Sequence, residues 1–225
     1  MKIAALHKTS LIDFPGLISA VVFTQGCNLR CGYCHNPHLL DYSVDKKYLP
    51  ESEVLSYLKI RQSLIEGVVV TGGEPTLQPD LMQFIAKVKH LGYRIKLDTN
   101  GTQSKVLEKL IKSQLLNFVA LDVKAPPGLY NKICGMPVDL KAITTSIKLL
   151  QESGIDYEFR TTLSPELGIP ELTEILTWID DSRHWVLQKC RSVNHGLGGQ
   201  PIFSPVFRNT ANLENIFVGC KLRGL

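Results

Sequence analysis

The sequence has no apolar run approaching the roughly 20 residues a helix needs to cross a membrane. It has no internal repeat, no low-complexity tract and no block of like charge. It also lacks the clustered arginines of a nucleic-acid binder. Its 25 Lys and Arg against 21 Asp and Glu give a net charge of +4, spread along the chain as a solvated surface. The opening Met1–Lys8 carries too short an apolar stretch for a signal peptide, so the expected location is the cytoplasm. Cysteines there stay mostly reduced. Of the six, Cys134, Cys190 and Cys220 stand alone, while three crowd into eight residues. Such a crowd in a reducing compartment points to a metal or to catalysis rather than to disulfides.

What is present is ordinary globular composition: 44% hydrophobic and 20% charged residues over 225 positions. A chain of this size buries roughly 70% of its unfolded surface and needs no staples. One domain over residues 1–225 is expected. Short β-branched or apolar runs alternate with stretches of helical spacing. The runs at 18–24, 67–71, 93–97, 117–121, 157–163 and 185–188 predict strands. The stretch at 216–222 is a further candidate. Helices are predicted after Pro50, over 79–91 with Gly92 as its stop, over 104–113, over 139–151 stopped near Gly154, and over 171–180. Such alternation argues for a parallel α/β sheet with right-handed crossovers. About six units fit, too few for a full eight-unit barrel. An open, partial (β/α)6 barrel is the preferred architecture, with a flat doubly wound sheet as the alternative.

The chemistry centres on Gly26-Cys27-Asn28-Leu29-Arg30-Cys31-Gly32-Tyr33-Cys34-His35-Asn36-Pro37. Iron–sulfur clusters normally take four thiolates, so three on one loop leave one iron open. Open positions serve chemistry and closed ones serve structure. Buried cysteines can be mere small hydrophobes, but three in a polar, Gly-bearing loop argue against that. A zinc site with His35 as fourth ligand is the other reading. His35 adjoins Cys34, and adjacent residues rarely both reach one tetrahedral ion, so the cluster reading is favoured.

The spacing C-x3-C-x2-C resembles the signature of the radical S-adenosylmethionine (SAM) superfamily. The resemblance implies that Cys27, Cys31 and Cys34 hold a [4Fe–4S] cluster, that SAM chelates the fourth iron, and that Tyr33 lies near the adenine. Cys-Gly-Tyr-Cys-His-Asn is similar to the activating enzymes of glycyl-radical enzymes. Thr9-Ser10-Leu11-Ile12-Asp13-Phe14-Pro15-Gly16 and Asn36-Pro37 are similar to the activases of anaerobic ribonucleoside-triphosphate reductase. That branch implies a glycyl-radical partner, the large subunit of anaerobic ribonucleotide reductase, and a flavodoxin-like electron donor.

Ligand groups in such folds gather at the C-terminal ends of strands. Thr71-Gly72-Gly73-Glu74-Pro75 follows the second predicted strand. As residues alone, it is an ordinary turn whose glycines let backbone approach a ligand closely, and Glu74 could accept from an ammonium group. It is similar to the superfamily's GGE segment, which implies that Gly72, Gly73 and Glu74 bind the SAM amino group. Leu97-Asp98-Thr99-Asn100-Gly101 and Leu121-Asp122-Val123-Lys124 end the next two strands. Asp98 and Asp122 are readable as turn or capping residues. Parallel neighbours would also bring them to one rim, where paired carboxylates need a counter-charge from Lys124, a bound cation or the SAM sulfonium. The resemblance implies a monovalent cation at Asp98 and Asp122, Lys124 at the SAM carboxylate, and Asn100 and Arg160 within reach of SAM. Arg160 reads equally well as a surface residue.

The sixth strand departs from the pyruvate formate-lyase activases: no histidine sits in Trp185–Cys190, which leaves Gln188 or Lys189 as substitutes. Hydrogen-atom abstraction needs no protein acid or base, so no catalytic residue is expected. Two other functions stay open. One is a small-molecule radical SAM enzyme, such as a 7-carboxy-7-deazaguanine synthase. The other is a non-catalytic iron–sulfur electron carrier.

Overall fold

A computed structural model describes residues 1–42, 47–190 and 213–224. Eight strands form one sheet in the order of the chain: β1 (Ile3–Ser10), β2 (Ser19–Thr24), β3 (Gly67–Gly72), β4 (Arg94–Thr99), β5 (Phe118–Asp122), β6 (Asp156–Leu163), β7 (Trp185–Lys189) and β8 (Lys221–Arg223). β1 runs antiparallel to β2, and every later pairing is parallel. The order never reverses, which removes the doubly wound alternative with its switch point. No pairing returns β8 to β1 among the described residues, so the sheet is an open, mostly parallel one.

Helices connect the parallel strands: α1 (Glu51–Ile60), α2 (Leu81–His90), α3 (Ser104–Lys112), the short α4 (Tyr130–Cys134), α5 (Leu140–Ser153), α6 (Ile169–Ile179) and α7 (Leu213–Ile216). Their ends follow local chemistry. Asp139 accepts from the Lys141 N–H to start α5, and Gly154 closes it in the left-handed region at φ +67°. Glu171 accepts from the Gly168 N–H at the start of α6. Gly92, at φ +90°, follows α2 as expected.

Strand parity sorts the side chains. Ala20, Val22, Val68, Val70, Ile95, Leu97, Val119 and Leu121 point into the core shared with the helices. Their alternates point the other way. At one end of that second face Phe14, from the β1–β2 turn, packs with Val21 and Val69 and against Phe23 and Phe118. Toward the strand C-termini the same face carries Asp98, Asp122, Arg160, Thr162 and Gln188. The fold therefore covers one face with helices and reserves the far end of the other for charged groups.

Two expectations change. β1 was not anticipated: its His7, Lys8 and Thr9 are too polar to read as a buried strand, because an edge strand solvates one side. The stretch 216–222 is not one strand. α7 ends at Ile216 and only Lys221–Arg223 joins the sheet.

Candidate active site

The cysteine loop leaves β2 at Thr24 and is pinned by backbone on both sides. Gly26 and Cys27 N–H groups donate to the Leu39 and Leu40 carbonyls at 2.7 and 2.9 Å. Gly73 and Glu74 N–H groups donate to the Thr24 and Gly26 carbonyls at 2.9 and 2.8 Å. Arg30 folds back inside the loop, its Nη1 donating to the Cys27 and Leu29 carbonyls at 2.8 and 2.9 Å. Asn28 and Asn100 tie the loop to the end of β4, the Asn100 Nδ2 donating to Asn28 Oδ1 at 3.0 Å.

All twelve residues singled out from the sequence line one cavity of about 210 Å³. Cys27, Cys31, Tyr33 and Cys34 come from the loop, and Gly72, Gly73 and Glu74 from the end of β3. Asp98 and Asn100 come from β4 and its exit, Asp122 and Lys124 from β5 and its exit, and Arg160 from β6. Leu29, His35, Asn36, Thr162 and Gln188 line it as well.

The glycines hold the turn tight. A Cβ on Gly72, whose φ is +124°, would sit 2.3 Å from the Thr24 nitrogen; one on Gly73 would sit 2.2 Å from the Gly26 carbonyl oxygen. Glu74 is braced by its neighbours. Its carboxylate is buried and accepts from Thr76 N at 3.1 Å, Thr76 Oγ1 at 2.5 Å, Thr99 Oγ1 at 2.7 Å and Asn100 N at 2.7 Å. Three of these bonds fall on Oε1 and one on Oε2, and together they brace β3 against β4. Burial raises the Glu74 pKa despite the donors.

Arg160 is no surface residue. Its Nε donates to Asp122 Oδ1 at 2.8 Å and its Nη1 to Asp98 Oδ2 at 3.1 Å. Lys96 Nζ takes Asp98 Oδ1 at 2.6 Å, and Lys124 Nζ takes Asp122 Oδ2 at 3.3 Å. Three cations thus occupy the four carboxylate oxygens. Burial alone would raise both aspartates, yet Arg160 with Lys96 lowers Asp98, and Arg160 with Lys124 holds Asp122 at about 2. Burial opposes the charge on Lys124, but Asp122 overcomes it and lifts the pKa well above the usual lysine range. Lys96 was missed in the sequence because a lysine inside a strand reads as solvent-facing. Strand parity was the available signal: it shares a face with Asp98.

The thiols suit a cluster better than one ion. Among the described residues no three His, Cys, Asp or Glu side chains converge as a single metal would require. A cubane instead offers three separate irons. Burial raises Cys27 to about 11 and also raises Cys34. Cys31 is lowered chiefly by its interaction with the Cys134 thiol, a cysteine that stands alone in the sequence. The Tyr33 hydroxyl is buried with no partner, an orphan that a ligand in this cavity could satisfy. Three thiols, an ammonium-sized backbone turn, a lysine and an unpaired hydroxyl around one space fit a [4Fe–4S] cluster with SAM.

The family model described as the radical SAM superfamily matches residues 21–179. The chain belongs to the radical SAM superfamily. This radical SAM enzyme is 32% identical over 194 residues to a protein of Methanocaldococcus jannaschii named as a glycyl-radical enzyme activating enzyme, covering 83% of this chain and 79% of that one. It is 35% identical over 171 residues to the pyruvate formate-lyase-activating enzyme of Clostridium pasteurianum, covering 74% and 70%. Among solved structures, the SAM-bound SuiB of Streptococcus suis superposes with a TM-score of 0.67 at 16% identity, over 88% of this chain and 48% of that longer one. QueE from Escherichia coli gives 0.59 at 17%, over 98% and 91%. The structural likenesses establish the radical SAM fold. The sequence relatives place the chain with glycyl-radical enzyme activases, and the superfamily's cofactors are a [4Fe–4S] cluster and SAM.

Proposed function

We propose that this activase places a glycyl radical on the large subunit of anaerobic ribonucleotide reductase, with a flavodoxin-like protein as electron donor. The observation that carries the reading is the convergence of Cys27, Cys31 and Cys34 with the Gly72–Gly73 turn and the Asp98–Arg160–Asp122 group on one cavity. The Thr9–Gly16 and Asn36-Pro37 segments favour this target over pyruvate formate-lyase, as does a sixth strand that carries Gln188 and Lys189 and no histidine over Trp185–Cys190.

Bound together, the cluster and SAM supply one-electron cleavage of a carbon–sulfur bond and a 5′-deoxyadenosyl radical able to take a hydrogen atom from a glycine Cα. The chain's residues bind and orient. Cys27, Cys31 and Cys34 would hold three irons. The backbone at Gly72, Gly73 and Glu74 would receive the SAM ammonium, and Lys124 would face its carboxylate. Tyr33 would cover the adenine. Asp98 and Asp122, with Asn100 and Arg160, fix the far wall. No helix among the described residues is long and apolar enough to cross a membrane.

The test is anaerobic incubation of the reconstituted protein with SAM, dithionite and purified reductase large subunit, read by electron paramagnetic resonance. A glycyl doublet is expected with the reductase and not with pyruvate formate-lyase. The reverse pattern would reassign the partner. SAM cleavage with neither protein giving a doublet would move the reading to a small-molecule substrate. No 5′-deoxyadenosine at all would leave an electron carrier.

A further inference from the structure

A second hollow, of about 410 Å³, lies at the opposite end of the sheet from the cysteine loop. Ser10, Ser19 and Gly67 pair side by side where β1 ends and β2 and β3 begin. The hollow opens just beyond them, between the β1–β2 turn and the end of α1. Leu11, Ile18 and Leu64 line it, together with Lys8, Tyr57 and Arg61. All three aliphatic side chains are exposed, Leu11 at 73%. Ile12 and Ile60, next in the chain to lining residues, are exposed as well. Apolar groups gathered in water with polar neighbours mark a contact surface.

The turn that presents Leu11 is anchored. Ser10 Oγ accepts from the Ile12 and Asp13 N–H groups at 3.2 Å each and donates to Asp13 Oδ2 at 2.5 Å. Three residues past Leu11, Phe14 is buried against Val21 and Val69. The Thr9–Gly16 segment thus plugs the sheet with its aromatic ring and leaves its two aliphatic residues in solvent. Across the hollow the Tyr57 hydroxyl donates to the Lys8 carbonyl at 2.9 Å. Lys8 Nζ and the Arg61 guanidinium carbon lie 5.7 and 5.8 Å from the Tyr57 ring centre.

Charge selects the occupant. Among the described residues two cations and no carboxylate line the hollow. Two neighbouring carboxylates are engaged within the chain, Asp13 by Ser10 and Glu66 by the Ile18 N–H at 3.3 Å. A two-fold contact uses one patch twice, so a second copy would bring the same cations to a face without carboxylates. Two cations also fall short of the roughly four to eight that hold a protein to an anionic membrane. A protein segment with carboxylates beside an apolar side chain matches both features.

We propose that this hollow docks an acidic segment of the glycyl-radical partner, which seats an apolar side chain between Leu11, Ile18 and Leu64 and sets Asp or Glu against Lys8 and Arg61. The identity of that partner rests on the activase function proposed for the chain. Because the hollow is remote from the cavity, docking tethers the partner and leaves the cavity mouth free for the reacting glycine.

The experiment loads the full chain and its Leu11→Ser, Arg61→Glu and Arg61→Lys variants with cluster. It follows glycyl-doublet formation against rising concentrations of purified reductase large subunit. SAM cleavage by dithionite without the subunit should be equal in all four proteins. Leu11→Ser and Arg61→Glu should raise the half-saturating subunit concentration about fivefold or more, as loss of an interface anchor does. The rate at saturation should stay unchanged, and Arg61→Lys should remain near the unsubstituted protein. Added salt should weaken docking of the unsubstituted chain more than that of Arg61→Glu. Unchanged half-saturation in both Leu11→Ser and Arg61→Glu would overturn the proposal. Sedimentation of the chain alone, and with anionic vesicles, identifies the other occupants. A dimer that Leu11→Ser dissolves would give the hollow to a second copy, and vesicle binding that Arg61→Glu abolishes would give it to lipid; either result overturns the proposal. If the unsubstituted chain cleaves SAM yet raises no doublet on the subunit, the activase reading has failed and this occupant with it.

Discussion

The Arg160 guanidinium donates from Nε to Asp122 Oδ1 at 2.8 Å, and among the described residues it is the one cation that reaches both aspartates, taking Asp98 Oδ2 through Nη1. One residue on β6 thus locks the ends of β4 and β5 together. All three side chains are mostly shielded, with 14, 13 and 29% exposure for Arg160, Asp98 and Asp122. Removing one partner of a buried ionic group costs about 3–5 kcal/mol. Partial exposure places Arg160→Ala near the lower end, about 3 kcal/mol. Arg160→Lys should recover only part, since one ammonium nitrogen lacks the planar fork whose Nε and Nη1 span the two carboxylates. Urea unfolding of the three proteins checks the order. Equal stabilities would mean the bridge contributes nothing.

The same bridge sets an acid limit. Asp122 titrates at about 2 in the fold, against about 3.9 in an unfolded chain. A depressed pKa contributes stability that is complete above the unfolded value and vanishes as pH falls through the folded one. The advantage of the native protein over Asp122→Asn should therefore hold above about pH 4 and shrink between about pH 4 and 2. Denaturation midpoints across that range test it. A gap that stays constant with pH would assign the stabilisation to something other than the carboxylate charge.

Gly73 makes a steric prediction. An added methyl would fall 2.2 Å from the Gly26 carbonyl oxygen and 3.0 Å from that of Leu39. Both are backbone atoms next to the cysteine loop and cannot step aside like a side chain. Gly73→Ala should lower stability by about 1–3 kcal/mol, the usual range for overpacking. It should also weaken SAM binding to the cluster-loaded protein at least tenfold. Thermal unfolding and equilibrium dialysis measure the two effects. Normal SAM affinity in a destabilised variant would separate the turn from the binding site.

How much of this was readable beforehand depended on what each residue needs from its neighbours. The strand runs, such as Gly67-Val68-Val69-Val70-Thr71, show themselves because both faces are buried and apolar. The cysteine loop and Gly72-Gly73-Glu74 were legible because their spacing is local. Arg160 was ambiguous because a single arginine in a strand carries no sign of its partners. They lie 38 and 62 positions away. Cys134 was passed over for the same reason: its neighbour Cys31 is brought to it by a five-residue helix that has no strong pattern. β1 stayed hidden because an edge strand with one wet face resembles a loop. Glu74 was found, but its bonds to Thr99 and Asn100 depend on how β3 and β4 align.

Tyr33 offers the sharpest separation of fold from function. Its ring is buried, 7% exposed, and its hydroxyl has no hydrogen-bond partner. A buried, unpaired polar group costs about 1–3 kcal/mol, so the chain carries a penalty that packing alone does not explain. Lys124 Nζ sits 6.0 Å from the ring centre, over the same cavity. If the hydroxyl exists to meet a ligand, Tyr33→Phe should leave the cofactor-free protein as stable as before or about 1 kcal/mol more so. The same change should weaken SAM binding once the cluster is loaded. Urea unfolding without cofactors and dialysis with them read the two predictions independently. A large loss of stability would place a solvent partner on the hydroxyl. Unchanged SAM affinity would remove Tyr33's hydroxyl from the binding surface and leave only its ring there.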